Sequence, residues 1–99
     1  MAQQIRTRVH EVKVYPDNFL LMSTGQKPFD VRRDDRLYDR GDIILFREWD
    51  PDKNEYTGAS IRRLITCTQI WEGLSPGYCA LGLAEVPDSP AASTNDSNN

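Results

Sequence analysis

Only one stretch of this chain carries a helix signal, and it falls between the first and second of five strand-like runs. Pro16-Asp17-Asn18 places a proline in a first turn and a carboxylate where the helix dipole favours it, so a short helix is predicted from Pro16 to about Thr24. Phe19, Leu20, Met22 and Ser23 are expected on its inner face, and Gly25 supplies the stop. The order β-α-β-β-β-β lacks the regular βαβ alternation of parallel sheets. It predicts an α+β domain built on a mostly antiparallel, barrel-like sheet.

The strand runs are bounded by turn formers. Arg8 to Tyr15 alternates through β-branched positions, and Pro28 to Arg32 sets Phe29 and Val31 on one face against Asp30 and Arg32 on the other. After the polar run Arg33 to Arg40, read as a loop, Gly41-Asp42 turns into the most apolar segment, Ile43 to Trp49, expected to be central. Asp50 to Glu55 reads as a hairpin tip, with Tyr56-Thr57-Gly58 on the return. Ser60 to Trp71 is helix-poor and fits a strand with a bulge or bend, and the last strand is Tyr78 to Glu85. The predicted organisation is an extension over residues 1–8, one domain over 9–86 and a disordered tail over 87–99, where Pro, Ser, Asn and Asp leave nothing to bury.

With 38% hydrophobic and 27% charged residues the chain has the composition of a globular domain, and at 99 residues it has room for a single core. Its longest apolar run, Ile43 to Phe46, is strand-sized, far short of the roughly 18 residues that cross a bilayer. A cytoplasmic protein with no membrane partner is expected. The single histidine and the absence of a CxxC pair predict no metal and no cofactor, and Cys67 and Cys79 are expected as free, largely buried thiols. The net charge of −3 disfavours long duplex nucleic acid. All 12 basic residues precede Pro87, however, so the folded part is near neutral and leaves room for a basic patch.

Gly25-Gln26-Lys27-Pro28-Phe29-Asp30-Val31-Arg32 resembles the G-x-K-x-x-x-x-R signature of the ASCH domain, a member of the PUA-like superfamily. His10 to Lys13, Asp34-Asp35-Arg36, Gly41-Asp42-Ile43, Arg47 to Asp50, Tyr56-Thr57-Gly58 and Gly77-Tyr78 look like a bacterial and phage branch of that superfamily. The resemblance implies a small, mostly antiparallel PUA-like β-barrel with one or two short helices. It also implies a cleft beside the helix and the following strand, where Lys27 and Arg32 hold RNA, single-stranded nucleic acid or a nucleotide. Asp30 stands where many relatives carry threonine or glutamate.

The candidate ligand-binding set is Lys27, Asp30, Arg32, Arg36, Trp49, His10 and Lys13. Lysine offers a point charge to phosphate, arginine a bidentate grip, and Trp49 or Tyr38 a stacking face. Several have a structural alternative. Arg32 can pair with Asp30 or Glu48, the mixed-sign run Arg33 to Asp42 can be a solvated face, Trp49 can be hairpin packing, and His10 a hydrogen-bonded structural residue. Two other functions stay open. Some ASCH relatives are amidohydrolases on acylated cytidine nucleosides; no catalytic set is assigned here, although Lys27 beside Asp30 would be the acid-base pair of such an enzyme. A protein-interaction module is the other, and the sequence leaves the oligomeric state open.

Overall fold

The computed structural model describes residues 7–87. The tail from residue 88 and the extension up to residue 6 lie outside the described residues. The elements run β1 (Val9–Val14), α1 (Pro16–Ser23), β2 (Phe29–Arg33), β3 (Ile43–Asp50), β4 (Glu55–Gln69) and β5 (Tyr78–Glu85), the predicted order. They form a five-stranded sheet in the order β1-β3-β4-β5-β2. Three of the four neighbouring pairs are antiparallel; β1 and β3 are parallel, because the chain passes through α1 and β2 before β3 returns beside β1. The apolar run that forms β3 lies inside the sheet, one place from the middle, which the longer β4 occupies.

Alternation sorts the faces. Val12 and Val14 of β1, Ile44 and Phe46 of β3, Ile65 of β4 and Leu81 and Leu83 of β5 all point into one core. Helix α1 covers part of it. Proline at the first helical positions and Asp17 in the first turn open the helix, while Gly25, at φ +83°, ends it. Met22 is buried and Phe19 packs against the same cluster, whereas Leu20 and Ser23, predicted inward, are exposed. A helix of eight residues offers too narrow a buried stripe for four inward side chains. From β4, Arg63 Nη2 donates to the Met22 carbonyl at 3.0 Å, a cation satisfying the helix C-terminus.

Two irregularities bend β4. Between Arg47 and Trp49 its register with β3 shifts beside Gly58, whose φ of +97° side chains rarely adopt. Between Ile65 and Cys67 the register with β5 shifts by one residue, so Cys67 faces Gly82 on the outer surface rather than following Ile65 inward. The expectation of two largely buried thiols therefore holds for Cys79, and Cys67 is exposed. Both are free. No helix among the described residues is long and apolar enough to cross a membrane.

Candidate functional site

Strands β1 and β2 stand at opposite ends of the sheet order, yet side chains join them, so the sheet curls into a half-barrel with a seam. Among the described residues, no strand receives the carbonyls on the free edge of β1. Arg36 Nη1, from the loop after β2, donates to the Glu11 carbonyl at 2.8 Å, and Arg32 Nη2 donates to the Lys13 carbonyl at 3.4 Å. This seam is the site of a cleft of about 450 Å³, walled by β1, β2, the first turn of α1 and the loop carrying Asp35, Arg36 and Tyr38. Its charged lining is Lys13, Arg32, Arg33 and Arg36 against Asp30 and Asp35. The cleft is thus locally positive on a chain of net charge −3.

Strand β2 reverses the usual polarity of an edge strand. Phe29 and Val31 are 50% and 46% exposed, while Asp30 is 6% exposed on the inner face. What makes that burial tolerable is Arg32, two residues along the same face, whose Nη1 donates to Asp30 Oδ2 at 2.8 Å. Of the two ion pairs the sequence offered to Arg32, the structure forms the one with Asp30 rather than Glu48. Glu48 instead accepts from the Thr57 hydroxyl at 2.9 Å.

The sequence-predicted residues divide. Lys13, Asp30, Arg32 and Arg36 come together in the cleft. Lys27 stands at its rim: its Nζ donates to Asn18 Oδ1 at 2.8 Å, and Asn18 lines the cleft. No hydrogen bond among the described residues joins Lys27 to Asp30. Trp49 lies on the hairpin, edge-on to Tyr56 with ring centroids 4.9 Å apart, and the Lys13 ammonium sits 4.0 Å over its ring. His10 is buried and does not line the cleft. Its Nε2 donates to Asp42 Oδ2 at 2.9 Å, since an ionised carboxylate only accepts.

Asp42 gathers the start of β1, the loop and the start of β3. It accepts from His10 and from the Asp39 N–H at 3.2 Å, and Arg8 Nη2 lies 3.1 Å away. Burial alone would raise its carboxyl, but the hydrogen bond from His10 and those from the backbone of Arg8 and Asp39, with the Arg8 charge, hold it below the ordinary carboxylate range. Tyr38 packs edge-on against His10 and belongs to the core as well as to the cleft floor. Burial pushes its phenol up, against the opposing pull of Arg32 and Arg36.

Sequence reasoning missed Tyr15, Asn18 and Tyr78 in the lining and treated Arg33 only as part of a mixed-sign run. Arg33 pairs in register with Tyr78 across β2 and β5, its guanidinium 5.7 Å from the ring. The signal was the Gly-Tyr opening the last strand, which marks a partner only once the β2–β5 register is known.

Residues 9–83 match the family described as a domain of unknown function, DUF3850. Over 59 residues the chain is 36% identical to the "Uncharacterized 12.9 kDa protein in GpA 3'region" of Escherichia phage P2. That stretch covers 60% of this chain and 52% of the phage protein, so the match spans about half the length of that relative. Because the family match runs from the first residue of β1 into β5 and contains every residue lining the cleft, this chain belongs to the DUF3850 family.

Proposed function

We propose that the cleft between β1 and β2 binds a nucleotide or a short single-stranded nucleic acid, and that the fold is an ASCH-like member of the PUA-like barrels. The observation that carries this reading is the concentration of four basic side chains and three tyrosines, Tyr15, Tyr38 and Tyr78, around one cavity of an otherwise acidic protein. Guanidinium and ammonium groups supply phosphate contacts, and aromatic rings supply base contacts that tolerate any sequence. The cavity volume lies within the roughly 300–1,000 Å³ typical of small-ligand sites. The G-x-K signature and the mostly antiparallel curled sheet support the ASCH-like reading.

The acidic net charge limits the partner to something short. A long duplex would meet a net acidic chain outside the seam. Binding should therefore weaken with salt, with a slope set by the few phosphates the cleft can reach. Replacing Lys13 and Arg33 by alanine tests the reading. Neither side chain bridges the seam by a hydrogen bond, so the fold should keep its melting temperature to within a few degrees while affinity for nucleoside monophosphates and short RNAs falls about tenfold or more. Absence of binding to either class by the folded wild-type protein would refute it.

A further inference from the structure

We infer that the cleft selects guanine, with Asp30 as the residue that reads the base; this rests on the nucleotide-binding reading above. Asp30 lines the cleft with 8% of its side chain exposed. Its carboxylate has acceptor capacity at both oxygens, yet among the described residues a single protein donor reaches it, Arg32 Nη1 on Oδ2. A carboxylate buried to this degree ordinarily collects more donors than one. Oδ1 has none among the described residues, so a ligand in the cleft is the natural source.

The donor pattern of the bases then decides. A carboxylate presents two acceptors side by side and needs two adjacent donors. Guanine offers N1–H next to its exocyclic amino group. Adenine and cytosine each offer one amino group beside an acceptor ring nitrogen, which would face a carboxylate oxygen. Uracil offers one N–H between two carbonyls. Only guanine matches without setting an acceptor against an acceptor. Arg32 holds Asp30 in place by their 2.8 Å contact, so the reading group is fixed before the ligand arrives. Lys13, Arg33 and Arg36 stand in the same cleft for the phosphate, and Tyr78 for the face of the ring. The shared chemistry is a guanine with a phosphate, whether in a free nucleotide or within a strand.

The test is a calorimetric titration of the whole protein with GMP, AMP, CMP, UMP and IMP, and with an all-uracil pentanucleotide against one carrying a central guanine. GMP, the guanine pentamer or both should bind roughly tenfold or more tighter than the other bases, the discrimination one bidentate base contact gives. IMP, which lacks the amino group, should fall between GMP and the rest. Preference for the pentamer alone would identify the strand as the source; preference for GMP alone, the free nucleotide. Asp30→Asn should lose the guanine preference and gain xanthosine and uridine monophosphates, whose N–H beside a carbonyl matches an amide. If that variant fails to fold, the wild-type ranking still decides. Equal affinity for all bases would overturn the guanine assignment and leave the nucleotide-binding cleft standing, whereas no binding of any probe would overturn both.

Discussion

Asp42 shows how much of the fold a single carboxylate can organise. It is 5% exposed, and it links His10 of β1, the Asp39 backbone and Arg8 ahead of β1 at the point where β3 begins. An amide in its place keeps one acceptor oxygen but loses the charge that faces Arg8 and sets a donor where the other oxygen accepted. Asp42→Asn should therefore cost about 2–4 kcal/mol in denaturant unfolding, the range for breaking one side of a buried charged hydrogen-bond set. The pH dependence has a definite sign. Because the folded carboxyl sits below its ordinary value of 3.8, its stabilisation is complete above that value and is lost as pH falls below it towards the folded pKa. The stability gap between wild type and Asp42→Asn should thus be constant near neutrality and narrow below pH 3.8. A gap that stayed constant into acid would show that Asp42 acts by packing alone.

At the scale of elements, the bulge in β4 and the glycine opposite it depend on one another. A side-chain carbon placed on Gly82 would lie 2.7 Å from Thr66 Oγ1 and 2.9 Å from Cys67 Sγ, distances real contacts do not reach. Gly82→Ala should destabilise by about 1–3 kcal/mol, the usual cost of overpacking, read as a lower denaturation midpoint at unchanged slope. An unchanged midpoint would mean that the two exposed side chains simply turn aside. The bulge was legible from composition, since Ser60 to Trp71 is too long and too irregular in its alternation for a flat strand. Its position was not, because a one-residue slip is set by the partner strand, and that is why Cys67 was expected inside. Strand order had the same fate. Each run could be recognised from its own residues, but the pairing of β1 with β3 and of β2 with β5 joins segments up to about fifty positions apart. The candidate site divides in the same way: Lys13, Asp30, Arg32, Arg36 and Tyr38 were named from sequence, while Tyr15, Asn18 and Tyr78 became visible only when the seam brought their elements together.

For the molecule as a whole, the curled sheet ends in a seam closed by arginine side chains rather than by a ladder of backbone hydrogen bonds. An open strand edge is a template for another chain, and flat edges are where folded proteins begin to join one another. On β1 the carbonyls of Glu11 and Lys13 that would accept a foreign strand are already occupied by Arg36 and Arg32. Removing both guanidiniums by Arg32→Ala and Arg36→Ala should lower the temperature at which light scattering rises by several degrees more than it lowers the melting temperature itself; equal shifts would assign the loss to stability alone. The same two arginines that line the cleft thus occupy the carbonyls to which a second copy of the chain would add itself as a sixth strand.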